Sequence, residues 1–499
     1  MKKMMKKLIA MAAALVMIVT LLPAVGANAA TADSVIDYTK KGTLNIHKTD
    51  KDKRPLEGAE FAIYKIASLS EDGYKMLIIT GNYTTPESLL NLSVDEQRAA
   101  AAEFAEVVST DNGKTTTGAD GLASFSELEL GYYLVKEVNA PEGYIASAPF
   151  FVAIPSSDNA DDSMDTGNGS ATKWSYVVNA RPKNQEVSID KEIVGEGNTT
   201  DAAIGDVIDY QITSVAPTYT DEYFSDKEGW KNPTYVISDK MSVGLTYNDD
   251  VVIYVGSVAE GNELATDLYN VAERTDGSEG FVITFTQEFL KNAAYKGATI
   301  LVRYSATINE NAVVGKDGNT NEVILDYNRT PDSETTGIEG ENEPKVYTYG
   351  LVLTKTDKTG KKLHDAKFSL YKVEMDAEGN ETERLIANEL STGVDGKFTF
   401  VGLDLGKYRL EETQAPQGYT LLTDKIEFSI TDEDKDGNVE TESNNGFTVN
   451  GGYVNTTVIN NKGFSLPETG GMGTYLFTIG GIVIMAGAAF ALIAMKKRA

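Results

Sequence analysis

Short runs in which apolar and polar residues alternate follow one another along most of this chain, as in Phe398-Thr399-Phe400 and Tyr453-Val454-Asn455-Thr456-Thr457-Val458. A period of two puts the apolar side chains on one face of an extended strand. Turn signals such as Asp395-Gly396 and Asn450-Gly451-Gly452 split the runs, and the combination predicts an all-β chain built from antiparallel sandwiches. The segments 207–213, 234–239, 280–285, 299–308 and 322–328 carry the same pattern through the middle of the chain. A helical period appears convincingly only from Val94 to Val108. Pro331 to Pro344 is acidic, contains glycine and lacks alternation, so a long loop or linker is expected there.

The two ends break the pattern. Lys2, Lys3, Lys6 and Lys7 precede an apolar stretch from Leu8 to Val25, and Ala27-Asn28-Ala29 supplies small residues for cleavage. That is the layout of a secretory signal peptide, residues 1–30. Near the other end, Met472 to Met495 is apolar and Lys496-Lys497-Arg498 follows it. The run has the roughly twenty residues needed to cross a bilayer, and the basic tip reads as a positive-inside stop.

Charge and composition then remove several function classes. The formal net charge is −29, and it becomes −36 once the seven basic residues of the two ends are set aside. So acidic a surface repels nucleic acid and anionic lipid. There is no cysteine, which excludes disulfides, thiol catalysis and thiolate metal sites. His47 and His364 are the only histidines, too few for a histidine-rich zinc site and a poor basis for a Ser-His-Asp hydrolase.

Two segments repeat. Lys48-Thr49-Asp50 with Leu56, Ala59, Phe61 and Tyr64 recurs as Lys355-Thr356-Asp357 with Leu363, Ala366, Phe368 and Tyr371. Thr117-Gly118-Ala119-Asp120-Gly121 recurs as Thr392-Gly393-Val394-Asp395-Gly396, and both copies end in Ala-Pro-x-Gly-Tyr at Tyr144 and Tyr419. The first copy carries an insert of about thirty residues, which holds the helical stretch. Between the copies lies a strand-rich segment without the repeat. Three domains are expected, 31–183, 184–345 and 346–463, followed by a terminal segment 464–499.

Each domain places three polar residues in register with apolar ones. The lysines are Lys48, Lys191 and Lys355, and the acids are Glu137, Asp239 and Glu412. The asparagines are Asn179, Asn321 and Asn460, with Asn319 and Asn461 as alternatives in the last two domains. Buried polar groups are costly unless they satisfy one another. One reading is a hydrogen-bonded cluster. The other is an intramolecular isopeptide bond: burial favours the neutral amine and the protonated acid, and the amine then displaces ammonia from the asparagine. The acid would polarise the asparagine carbonyl and shuttle protons.

Leu466-Pro467-Glu468-Thr469-Gly470, with an apolar run and a basic tip behind it, resembles the sorting signal cut by sortase transpeptidases of Gram-positive bacteria. Trp174, Val178, Pro182 and Lys183 are similar to the pilin motif of sortase-assembled backbone pilins; Ala180 and Arg181 depart from it. The repeated units resemble collagen-adhesin B-type immunoglobulin-like domains, and the boxes around Glu137 and Glu412 resemble that family's E-box. The resemblance implies tandem immunoglobulin-like sandwiches that cross-link themselves, with the three acids as the promoting groups.

It further implies a major pilin subunit, secreted and attached to peptidoglycan, that is a sortase substrate rather than an enzyme. Lys183 would attack the acyl-enzyme formed at Thr469 of the next subunit. The implied partners are sortase, identical subunits in a covalent homopolymer, ancillary pilins and peptidoglycan, with no nucleic acid. A monomeric wall-anchored adhesin or a tip or base pilin with the same domains is the competing expectation. No cofactor is expected. Asp432, Asp434 and Asp436 have the spacing of the first half of a calcium loop, but Ser443 stands where the closing glutamate belongs, so a solvated acidic hairpin competes with calcium there.

Overall fold

The computed structural model describes residues 35–89, 92–158, 173–227, 230–331, 333–440, 446–463 and 472–496. The expected signal peptide and the Leu466–Gly470 pentapeptide lie outside the described residues. The chain divides into two compact units, one running to Val346 and one from Tyr347 onward, the second also taking Asp201–Ala203 and Val314–Gly318.

The first unit opens with a sandwich of two sheets. In one, Gly42–His47 lies between Val177–Ala180, to which it runs parallel, and Leu122–Leu128, to which it is antiparallel. The other is built on Glu60–Ser70, Gly131–Asn139 and Phe150–Ile154. Alternation fills the space between them with Leu44, Ile46, Phe61, Ile63, Tyr133 and Val135. The opposite face of the second sheet is also apolar: Ala62, Tyr64, Tyr132, Leu134 and Phe151 pack on Ala100, Ala101, Phe104 and Ala105 of the helix Val94–Val107. Ser93 and Glu96 close a capping box at the start of that helix, satisfying two of its free backbone donors. The expected helical insert is therefore a cover that buries the outer face of a sheet.

A second sandwich in the same unit pairs Val207–Val215 with Ile189–Ile193 and with Thr299–Ile308. Its other sheet pairs Tyr235–Met241 with Phe281–Phe285 and with Asn319–Asn328. The stretch expected as a linker before the last domain contains a strand, Thr335–Glu339, paired antiparallel with Asn319–Asn328. None of its side chains is buried, because the strand sits at a sheet edge, which hid it from hydropathy.

The second unit repeats the first sandwich. Tyr349–Asp357 runs parallel to Tyr453–Asn460 and antiparallel to Lys397–Leu403; Lys367–Met375 pairs with Glu381–Ser391 and Gly406–Gln414. Among the described residues no helix covers the outer face of that second sheet, which carries charges instead. Arg409 pairs with Glu381, Glu383 and Glu427, and Lys425 with Glu383 and Glu411. Exposed pairs of this kind contribute little each, but they make a water-facing surface where the first copy has an apolar one. Met472–Lys496 forms a helix. Among the described residues, no helix is long and apolar enough to cross a membrane. The expected span therefore rests on the sequence.

Candidate functional site

In the C-terminal sandwich, parallel pairing of the first and last strands sets Lys355 opposite Val458 and Asp357 opposite Asn460. The inward register then brings Lys355 Nζ to donate to Asn460 Oδ1 at 2.5 Å and to the Val458 carbonyl at 3.1 Å. Asn460 Nδ2 donates to Glu412 Oε1 and Oε2 at 2.9 and 3.0 Å. Lys355 and Asn460 have no exposed surface, and burial pulls the Lys355 amine down to about 8. The acid sits on the amide nitrogen, the leaving group, rather than on the carbonyl oxygen. That geometry suits proton delivery to departing ammonia more than the expected polarisation of the carbonyl.

The middle sandwich assembles the expected Lys191, Asp239 and Asn321. Lys191 Nζ donates to Asp239 Oδ2 at 2.5 Å, to Asn321 Oδ1 at 2.7 Å and to the Glu322 carbonyl at 2.6 Å. Burial lowers the Lys191 pKa and raises that of Asp239, so both shifts favour neutral amine and neutral acid. The alternative Asn319 is also buried, but its amide is bound to the backbone of Val313 and Val346. Sequence reasoning missed Tyr304, whose hydroxyl meets Asp239 and Asn321.

The first sandwich corrects one expected residue. Asn179 is exposed on Val177–Ala180 and bonds outward to Asn45 and His47. The asparagine that reaches the core is Asn184, which donates to Glu137 Oε1 at 2.7 Å. Lys48 Nζ lies 2.9 Å from Glu137 Oε2, with neither side chain exposed. Asn184 Oδ1 has no hydrogen-bond partner among the described residues, and burial lowers the Lys48 pKa against the pull of Glu137. Register explains the correction. Ile46 pairs with Ala180 and Thr49 bridges Lys183 in parallel, so Asn184 stands opposite Asp50 as Asn460 stands opposite Asp357.

The repeated Thr-Gly-x-Asp-Gly boxes hold the lysine strands. Gly121 and Gly396 accept from the backbone N–H of Lys48 and Lys355, each at 2.7 Å. Both glycines have positive φ, and a Cβ on either would sit within 3.0 Å of the lysine carbonyl, so only glycine fits. Thr117 Oγ1 accepts from Ala59 N–H and donates to the Leu56 carbonyl; Thr392 does the same with Ala366 and Leu363.

Around Lys183 the chain keeps its two-residue alternation. Val178, Pro182 and Asn184 are buried, whereas Val177, Asn179 and Arg181 are exposed and Lys183 is partly exposed. Trp174 pairs with Ser157 on a short separate ribbon. The Lys183 ammonium has no ion pair among the described residues. Asp432, Asp434 and Asp436 do come together. Asp432 is taken up by the Tyr349 hydroxyl at 2.6 Å and by the backbone N–H groups of Asp436 and Gly437, which is the bonding of a turn anchor.

Three family models match this chain. A prealbumin-like fold domain matches 42–169 and 350–446, a Gram-positive pilin backbone subunit 2, Cna-B-like domain matches 204–331, and an LPXTG cell wall anchor motif matches 459–499. Fimbrial subunit type 1 of Actinomyces viscosus is 27% identical over 98% of this chain and 97% of its own. The chain is a Gram-positive major pilin. The full-length major pilin SpaD of Corynebacterium diphtheriae is similar to this pilin at 25% identity and a TM-score of 0.57, covering 86% of this chain and 99% of that one. The T6 backbone pilin of Streptococcus pyogenes shares the fold at 20% identity and a TM-score of 0.55, over 86% and 95% of the two chains. The pilin is thus a secreted, cell-wall-anchored subunit of a sortase-polymerised surface pilus.

Proposed function

We propose that this pilin is joined head to tail through an amide between Lys183 and Thr469, and that each sandwich closes an internal Lys–Asn isopeptide bond. The internal pairs are Lys48–Asn184, Lys191–Asn321 and Lys355–Asn460. The observation that carries the internal bonds is a buried lysine, acid and asparagine gathered in each domain, with the lysine amine directly on the asparagine carbonyl in the last two and both groups on Glu137 in the first. Burial leaves the amine a free lone pair; attack on the asparagine carbon forms the amide and expels ammonia. Export and final attachment would use the signal peptide and the membrane-crossing run Met472 to Met495 expected from the sequence, together with the LPXTG anchor. Sortase, copies of the same subunit and peptidoglycan are the partners this scheme requires.

Intact mass and tryptic mapping of the secreted protein test the internal bonds. The expected result is loss of three ammonia molecules and three linked peptide pairs; a mass equal to that of the processed sequence sinks the scheme. In the first domain, Asn184→Ala abolishes the link and Asn179→Ala leaves it intact. The reverse outcome restores Asn179.

A pH dependence separates linked from unlinked protein. Asn460→Ala leaves Lys355 titratable. With its folded pKa near 8 against an ordinary value of 10.5, the folded state binds fewer protons than the unfolded chain between those values. Unfolding free energy therefore rises with pH across that window. Denaturant titrations should show this gain for Asn460→Ala relative to wild type, whose linked lysine no longer titrates. Equal pH slopes for the two proteins contradict the assignment.

A further inference from the structure

The three acids do not hold their asparagines in the same way. Glu412 takes both oxygens to Asn460 Nδ2, and Glu137 reaches Asn184 Nδ2 directly. Asp239 is one carbon shorter, and among the described residues it makes no hydrogen bond to Asn321. Its Oδ2 meets Lys191 on one side and the Tyr304 hydroxyl, at 2.5 Å, on the other. Asn321 Nδ2 donates to that same hydroxyl at 3.0 Å. The directions are forced by donor and acceptor inventory. Lysine donates to Asn321 Oδ1, which leaves the amide N–H for Tyr304; the hydroxyl accepts it and gives its own proton to Asp239.

We propose that Tyr304 is a third catalytic group of the middle-domain cross-link, carrying a proton between Asp239 and the departing nitrogen of Asn321. This rests on reading Lys191, Asp239 and Asn321 as the cross-linking set. As Lys191 Nζ bonds to the Asn321 side-chain carbon, its proton passes to the neutral Asp239 carboxyl in concert with the transfer from that carboxyl to Tyr304, so the acid never carries two protons. Tyr304 gives its phenolic proton to Nδ2 and takes one from Oδ2. The carbon–Nδ2 bond breaks, one ammonia leaves, and Asp239 and Tyr304 return unchanged. Aspartate plus tyrosine thus span the distance that glutamate covers alone in the other two domains. Burial and the neighbouring Asp239 hold the phenol pKa well above its usual value, so the hydroxyl is protonated in the resting site. The ring is fixed by stacking on Tyr210 at 5.5 Å and an edge contact with Phe281 at 4.8 Å, so the hydroxyl is aimed without a flexible arm.

Tyr304→Phe keeps the ring and removes the relay. In the full-length protein, a mass-spectrometric time course should show the Lys191–Asn321 link slowed about a hundredfold or more, the low end of general acid–base effects, with Lys355–Asn460 forming as in wild type. Asp239→Glu placed in the Tyr304→Phe background should recover the link, because the longer acid can reach the amide nitrogen itself. A wild-type rate in Tyr304→Phe, or a double variant as slow as Tyr304→Phe, overturns the role of Tyr304. Absence of the Lys191–Asn321 link from wild type defeats the cross-linking set instead. If Tyr304→Phe does not fold, 3-fluorotyrosine at position 304 keeps shape and hydrogen bonds while making the phenol more acidic; a changed rate supports the relay and an unchanged rate refutes it.

Discussion

Replacing Lys183 by alanine should eliminate the SDS-resistant, high-molecular-weight ladder of pilus polymers and leave monomer. Lys183 is partly exposed on the outward side of the segment that follows the strand Val177–Ala180, while its neighbour Asn184 is buried. Pro182 fixes φ immediately before it, and the Thr49 bridge holds its backbone. The amine is therefore presented on an anchored segment. Lys48, Lys191 and Lys355 are at most 1% exposed and offer no substitute inside the fold. Lys183→Arg should fail equally, since a guanidinium stays protonated and cannot act as the nucleophile. Neither change removes a buried contact, so folding stability should move by no more than about 0.5 kcal/mol. Immunoblots of wall extracts decide the matter, and persistence of the ladder in Lys183→Ala would falsify the backbone linkage.

Removing the C-terminal cross-link should cost that domain about 4–5 kcal/mol, by the chain-entropy estimate for a loop of about a hundred residues. Lys355 and Asn460 are 105 positions apart, and the loop they close includes nearly every strand of the sandwich. For a domain of this size the loss corresponds to a fall in melting temperature of roughly 20 °C. Asn460→Ala should show it in calorimetry, together with new sensitivity to trypsin in that domain. Because the linked strands are parallel neighbours, the covalent bond also lies on the path that tension would take along the fibre. A melting temperature within a few degrees of wild type would show that the domain does not depend on a cross-link.

Period-two reasoning was enough to place Lys48, Lys191, Lys355 and all three acids inward, because strand geometry leaves only two faces. It failed at Asn179 for a definable reason. The run was read from Val177, but the inward register starts at Val178 and continues through Ala180 and Pro182 to Asn184. Proline and the flanking basic residues masked that continuation. The Tyr304 contact was not legible at all. It depends on how two sheets are set against each other and on aspartate being one carbon shorter than glutamate, neither of which alternation encodes. The edge strand Thr335–Glu339 escaped because an exposed edge need not alternate in hydropathy. The repeated sheet also shows a limit of homology within one chain. The first copy needs an apolar outer face to receive the helix Val94–Val107, whereas the second, without the insert, carries Arg409 and its glutamates there.

The proposed fibre depends on one covalent link between subunits, and peptide mapping of native fibres tests that link. After tryptic digestion, mass spectrometry should find a branched peptide in which the Lys183 side-chain nitrogen is acylated by the carboxyl of Thr469. Fibres in which Lys183 is unmodified and Thr469 is joined to a different lysine would contradict it.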